Sequence, residues 1–486
     1  MTAADPGRSP ASLFLEYYAQ AGSWGASARA TAVRPDISFD TVADRLLKED
    51  DANRAHDQLR MLVEAGRHSD AEKRGRIGAA MRSIDRALLE IHPRAVIGSA
   101  SRRPATWLQD ARIERRMTGE YLRNKSVRLI PRGPLLREPR HEHASSGDQL
   151  SDYFSAIAVA PVAFVHDSLT LPIRVVVVDT DPLSGVAPAS SPGAERIGFL
   201  PLATHPGHIE CEGALRSGRM FAAYRPAPRF DAGTAAIEGL RALGDVDIAI
   251  MPELGFLESH ADALALALAA ETAPMPRLIV AATYSTSLVN ADGQPWNECR
   301  ILNGRGAVLW RQRKIWPAGI SQDRAIELGL PDPGSGTLTL EDNASGAELV
   351  IADIDGLGRC VVLICQDCTI PALGTALYGS YQPDWVFTPI FDKTIDPGRW
   401  AHAAAFGASN LSQARGIAIT HTGHAPAGAN MGLAVGPKEC PPGCGLDLDR
   451  AVRLVTKPAS GPMIAELRWR NGHWHQTMLG TKAPAC

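Results

Sequence analysis

Gly358-Arg-Cys-Val-Val-Leu-Ile-Cys365-Gln-Asp-Cys-Thr-Ile-Pro371 is the stretch on which the reading of this chain turns. Cys360 to Ile364 is an unbroken apolar run of strand length, the pattern of a strand buried on both faces. It stops at Cys365, and polar residues then lead into a helical stretch, Ala372–Leu377. Strand then helix predicts an α/β unit. A cysteine at the C-terminal end of such a strand, entering a helix N-terminus, gains from the helix dipole and from free backbone N–H groups. Both favour a thiolate and an oxyanion, which is nucleophile geometry. The bland alternative is a small hydrophobe in a core.

Working outward, short β-branched runs alternate with helical stretches: Ile197–Leu202, Ala235–Leu243, Ile248–Met251, Ser259–Glu271, Leu278–Thr283, Gly306–Trp310 and Leu349–Ile354. This alternation predicts an α/β domain over 171–486. Near its start, Asp179 to Glu195 (DTDPLSGVAPASSPGAE) has the Pro, Ser and Gly content of a linker or long loop. The region before it, 1–170, reads as mainly helical: Thr41–Ala65 and Ala71–Ile91 carry apolar residues at three- and four-residue spacing, with Asp40 and Ser69 as caps. Within it, Arg102 to Arg140 holds eleven basic residues against four acidic ones. With no aromatic residues interleaved at regular spacing, this suits a solvated face or a partner contact better than a nucleic-acid surface.

Composition narrows the class. At 486 residues, 45% hydrophobic and 21% charged, the chain is long enough for two or three domains with packed cores, which excludes disorder throughout. Fifty basic against fifty-three acidic residues leave a formal charge of −3, no global footprint for nucleic acid or an anionic membrane. The N-terminus MTAADPGRSPAS lacks a basic segment followed by an apolar core, so a soluble, unexported protein is expected. Eight cysteines, all after residue 200, do not form a disulfide framework in so long a chain, and a reducing cytoplasm is the expectation.

Two further segments carry chemistry. Asp247-Ile-Ala-Ile-Met-Pro-Glu253-Leu-Gly is an apolar strand running into Pro252, which cannot continue a ladder, so Glu253 belongs at the strand's end. Taken alone it reads better as a carboxylate that caps the next turn. Gly304-Arg-Gly-Ala-Val-Leu-Trp-Arg-Gln-Arg-Lys314-Ile-Trp-Pro leads from a turn through a strand to a basic cluster. Such a cluster reads as a solvated strand end, but only eight of the fifty basic residues are lysine, and none lies between Lys125 and Lys314. An ammonium among so many guanidinium groups is a different tool.

Glu253, Lys314 and Cys365 in this order on separate strand ends, with Asn297-Glu-Cys before the lysine and Gln382-Pro-Asp-Trp-Val-Phe-Thr-Pro389 after the cysteine, resemble the carbon–nitrogen hydrolase (nitrilase) superfamily. The resemblance covers about Arg196 to Trp474 and includes a closing segment, Pro462-Met-Ile-Ala-Glu-Leu. It implies a four-layer αββα sandwich and a homo-oligomer. It also implies Cys365 as nucleophile, Glu253 as general base, and Lys314 with the backbone N–H of Gln366 as the oxyanion hole, with no metal or cofactor. The substrate would be a small amide, or less readily a nitrile, releasing ammonia or an amine. Glu327 is the nearest match to a second, supporting glutamate. Trp316 and Asp367 depart from the family's usual residues and, with His421, are expected at the substrate pocket.

Two other classes compete. Cys365 and Cys368 form a CxxC, and Cys440 and Cys444 a second pair, together a set for structural zinc or a redox dithiol. Some seventy residues separate the pairs, where zinc ribbons have about fifteen to twenty. His421-Thr-Gly-His424 reads as a loop rather than a metal pair. A non-enzymatic hydrolase fold carrying the arginine-rich segment to nucleic acid or a partner is the third class, and the complete Glu253, Lys314 and Cys365 set argues against it.

Overall fold

The structure, a computed structural model, describes residues 8–32, 34, 36–66, 68–96, 104–136, 150–166, 169–423, 425, 426, 428–437, 450–457, 464–470 and 473–479. The chain divides into two compact units: Met1–Ala163 with short pieces at Val175–Val177 and Ser380–Gln382, and the remainder.

In the first unit, among the described residues, seven helices between Pro10 and Thr118 precede a three-stranded sheet of Leu122–Arg123, Val127–Pro131 and Ile157–Pro161. Leu13, Phe14, Leu59, Met81, Ile84 and Leu88 centre its core. The helix expected over 41–65 is two helices, Ile37–Leu46 and Ala52–Glu64, capped by Asp36 and Asp51 rather than by Asp40. The polar run Lys48-Glu-Asp-Asp51 gives neither helix an apolar face, and the Asp51 carboxylate accepts the N–H groups of Asn53 and Arg54 that a new helix leaves open. Ser69 does cap Asp70–Leu89, in a reciprocal box with Glu72. Of the arginine-rich segment, residues 104–136 are described. There Arg115 and Arg128 are buried, Arg128 pairs with Glu120 at 2.7 Å, and Arg132 donates to the carbonyls of Ser151 and Phe154.

The second unit is mixed α/β with two large sheets. One runs Phe256–Leu257, Tyr284–Val289, Pro295–Asn303, Leu278–Val280, Ile248–Ile250, Arg196–Phe199, Ile464–Arg470 and His473–Leu479, with Val308–Arg313 also on Pro295–Asn303. The other runs Arg450–Thr456, Asn430–Pro437, Arg415–Ile419, Trp385–Pro389, Gly358–Val362, Leu349–Ile354, Leu169–Val178 and Ala163–His166. At the centre of each lie three parallel strands, Arg196–Phe199, Ile248–Ile250 and Leu278–Val280 in one, Gly358–Val362, Trp385–Pro389 and Arg415–Ile419 in the other. Their residues are almost all buried, which is why the sequence shows continuous apolar runs there. The two sheets come close at Gly432, where a Cβ would stand 2.7 Å from the Phe199 ring, so only glycine permits this approach.

Helices Ala232–Leu243 and Glu258–Ala270 supply Ala236, Leu240, Leu264 and Leu268 to the core on the first sheet. The 179–195 stretch lies inside this unit as an anchored loop: Asn303 Nδ2 donates to the carbonyls of Leu183 and Gly185, and Asp247 accepts the N–H groups of Ala189 and Ser190. A small third sheet, Gly319–Ile320, Thr339–Glu341, Arg219–Pro226 and Ile209–Arg216, was not anticipated. Among the described residues no helix is long and apolar enough to cross a membrane.

Candidate active site

Glu253 stands three residues past the strand Ile248–Ile250, where Pro252 ends the ladder. Its carboxylate is fully buried, and Oε1 accepts from Lys314 Nζ at 2.8 Å and from Asn297 Nδ2 at 2.9 Å. Oε2 has no partner within ordinary hydrogen-bond geometry. Burial pushes the Glu253 carboxyl above its usual range, against the pull of Lys314.

Lys314 follows the strand Val308–Arg313 directly and is completely buried. That strand is tied to the second sheet by Gln312, whose side chain accepts from Val350 N–H at 2.9 Å and donates to the Glu348 carbonyl at 3.1 Å. Beside Glu253, Lys314 Nζ contacts Glu341 Oε2 at 2.5 Å. Burial alone would discharge the ammonium, but Glu253, Glu341 and Cys365 outweigh it and hold the pKa well above the ordinary lysine value. The lysine stays a cation.

Cys365 lies three residues past Gly358–Val362, with φ of +49°, the left-handed region that a non-glycine residue rarely adopts. Leu254, next to Glu253, is likewise at +59°. Strain at both strand ends is typical of a site whose geometry is over-determined by its surroundings. The expected helix N-terminus takes a different form. Cys365–Thr369 is a 3-10 turn with Gln366 in its second position, and the α-helix Pro371–Ala376 begins only after it and has six residues. So short and displaced a helix contributes little dipole at the sulfur. Burial first, then Glu253, raises the Cys365 thiol well above its usual value, while Lys314 and a hydrogen bond from the Phe391 N–H oppose this. In the resting site the sulfur is a neutral thiol.

The structure thus brings Glu253, Lys314 and Cys365 together and leaves Glu327 outside. Glu327 is an exposed residue ending the helix Gln322–Glu327, paired with Arg324 at 2.9 Å and with Lys393. Glu341 stands beside the lysine instead, delivered by the third sheet, and it also accepts the Ala318 N–H at 3.0 Å. The sequence offered little to choose between these glutamates, since both fall between Lys314 and Cys365 and the difference lies in which strand the third sheet recruits.

Asp367 and His421, expected to face substrate, face backbone. Asp367 accepts the N–H groups of Ile315, Trp316 and Ile364. His421 accepts the Ala203 N–H at Nδ1, so Nε2 carries the proton and donates to the Glu253 carbonyl at 2.7 Å. Trp316 is half-buried, edge-on to Phe164 with ring centroids 6.4 Å apart. Phe391, not singled out in the sequence, packs edge-on against Tyr224 at 5.0 Å. Cys368 is a free thiol, while Cys440, Cys444 and His424 lie outside the described residues. Among the described residues no group of three or more metal-ligating side chains converges.

No known family's model matches the chain, and no curated protein matches it. Solved structures do. One is a variant of the amidase from Nesterenkonia sp. AN1 carrying the acetamide moiety of fluoroacetamide covalently on its active-site cysteine; it is 14% identical, covering 57% of this chain and 94% of that one, with a TM-score of 0.35. A second variant of that amidase, described as from the nitrilase superfamily, is 13% identical over 55% and 93%, with a TM-score of 0.35. The chain is similar to members of the nitrilase superfamily. Glutamine-dependent NAD+ synthetase from Acinetobacter baumannii is 14% identical, covering 60% of this chain and 48% of that one, with a TM-score of 0.36. At these identities and scores the likeness adds no weight to any residue's role, which stands on the distances above.

Proposed function

We propose that this protein is a hydrolase of carbon–nitrogen bonds other than peptide bonds, acting on a small amide through a thioester acyl-enzyme. The observation that carries this reading is the convergence on Glu253. One buried carboxylate takes an ammonium at 2.8 Å on Oε1 and lies near enough to a thiol for each to shift the other's ionisation, at the ends of strands from two different sheets. A base, a fixed cation and a nucleophile in one water-poor place are what acyl transfer to sulfur requires. In this reading the two large sheets are the inner layers of a four-layer αββα sandwich.

The chemistry follows from the charge states. Because the thiol is neutral at rest, attack is base-assisted: the sulfur bonds to the amide carbon as Glu253 takes the thiol proton. The negative charge moves to the carbonyl oxygen, where Lys314 and the Gln366 N–H stabilise it without having to reorient. When the carbon–nitrogen bond breaks, protonated Glu253 returns that proton to the leaving nitrogen, which departs as ammonia or an amine. Water then attacks the thioester, giving its proton to Glu253, and the carboxylic acid leaves as the thiol is regenerated. Glu341 keeps Lys314 charged while Glu253 cycles between its two states.

Ammonia release by the full chain from a panel of amides, ureides and nitriles tests the reading, with the Cys365→Ser variant as control. Release from amides or ureides that the variant abolishes supports it. A nitrile-only profile replaces the substrate class, and release that survives the variant removes the thiol mechanism.

A further inference from the structure

We infer that Asp367 is a positioning residue whose carboxylate clamps the segment after Lys314 to the turn that bears Cys365, and so sets where the ammonium stands relative to the sulfur. The inference deepens the hydrolase reading and rests on it for its catalytic meaning, though the geometry is independent of any substrate.

The two sides of this clamp come from different sheets. Lys314 follows a strand of the first, and Cys365 follows a strand of the second. Asp367 Oδ1 accepts Ile315 N–H at 3.0 Å and Trp316 N–H at 2.9 Å, the two residues after the lysine. Oδ2 accepts Ile315 N–H at 3.1 Å and Ile364 N–H at 3.3 Å, the residue before the cysteine. The Asp367 N–H in turn donates to the Ile364 carbonyl at 3.1 Å. One side chain thus holds both reacting segments within two residues of their functional groups.

Three features separate this from a pocket wall or a plain structural bond. Both oxygens are occupied by backbone donors, so neither is offered to a ligand. Each of these partners donates, so a protonated carboxyl would set its own hydrogen against an N–H; the clamp needs the anion. The anion is costly here: Asp367 is 1% exposed, and burial, against the Trp316 N–H and Lys314, raises its pKa to about 7. Lys314 already pairs with Glu253 and Glu341, so its charge does not call for a further carboxylate, and electrostatic stabilisation does not account for Asp367.

The test is the rate at which iodoacetamide labels Cys365 in the full chain, resolved by peptide mass, at about the ordinary thiol pKa of roughly 8.5. If Asp367 sets the lysine's place, Asp367→Asn lets the ammonium drift from the sulfur and labelling slows about tenfold, one pKa unit's worth. The competing readings move the other way: losing a negative charge at fixed geometry, or unfolding, lowers the thiol pKa and speeds labelling. Asp367→Glu keeps the charge and displaces the clamp, so it too slows labelling, and it decides the matter if the asparagine variant does not fold. Labelling as fast as wild type or faster, in a variant with a wild-type circular dichroism spectrum, overturns the inference. On an amide that the wild type hydrolyses, kcat falls while KM holds; a raised KM with unchanged kcat would put Asp367 in the pocket and overturn it as well. If the wild type hydrolyses no amide, the hydrolase reading fails while the labelling result still decides the clamp.

Discussion

Two buried clusters of charge sit in the second unit and are built in opposite ways. In one, Arg359 lies against Asp353 with Nε to Oδ1 at 2.6 Å and Nη2 to Oδ2 at 3.0 Å. Near it Arg415 stands between the rings of Trp385 and Trp469, 5.0 Å and 4.7 Å from their centroids, and pairs with Glu195. Each guanidinium has its own carboxylate, and Arg415 also has a rigid, flat seat, the arrangement in which arginine serves best. In the other cluster a single ammonium faces Glu253 and Glu341, one carboxylate oxygen has no ordinary partner, a thiol lies alongside, and two residues take left-handed backbone. Both clusters are equally buried. What distinguishes the reactive one is unbalanced charge and strain, which shift pKa values, where the balanced one only holds strands together.

The comparison breaks first at the cysteine. Cys365→Ala should remove turnover by about four orders of magnitude or more while melting within a few degrees of wild type, since it deletes the one nucleophile and little packing. Residual activity near wild type would make the unbalanced cluster structural after all. Swapping the cations sharpens the contrast: Lys314→Arg should cost about 10²- to 10³-fold in kcat, because a planar guanidinium cannot replace a compact point charge at the oxyanion. Arg359→Lys should leave kcat alone and cost about 1–3 kcal/mol in urea unfolding, the worth of a lost charged hydrogen bond.

Among the glutamates, Glu341→Gln should lower kcat about tenfold or more by leaving Lys314 less firmly charged and placed. Glu327→Gln should change kcat less than about twofold, since its ion pairs are exposed. Equal losses in the two would return Glu327 to the site. In the pH profile, Glu253 must be ionised to take the thiol proton, and burial raises its pKa. The acid limb of kcat/KM should therefore lie above the ordinary carboxylate range, with activity lost as pH falls through that limb. For stability the same shift acts with the opposite sense: the folded state holds the proton more tightly, so this group's contribution falls as pH rises from the ordinary glutamate pKa to the raised one. Cys368→Ala should change activity little, keeping it within about threefold, if Cys365 acts alone. Loss of activity with release of zinc would restore the dithiol reading.

The sequence by itself determined what depends on neighbours along the chain. Runs such as Leu349–Ile354 are strands because their residues are apolar and β-branched, and Ile248–Ile250 ends before Glu253 because Pro252 can give nothing to a ladder. That placed a carboxylate, a lysine and a cysteine at strand ends by local rules. Where local rules were overridden the reading slipped by small amounts, as when one helix over 41–65 became two around the Asp51 cap. Tertiary structure alone decided who stands beside whom. Glu341 rather than Glu327 reaches Lys314 because Thr339–Glu341 pairs with Arg219–Pro226, more than a hundred residues earlier in the chain. Asp367 and His421 turn toward backbone N–H and C=O groups that exist near them only once two sheets have met. A polar side chain in a closing core takes whichever donor the fold brings within about 3 Å, and that choice rests on contacts remote in sequence, which periodicity and spacing do not encode.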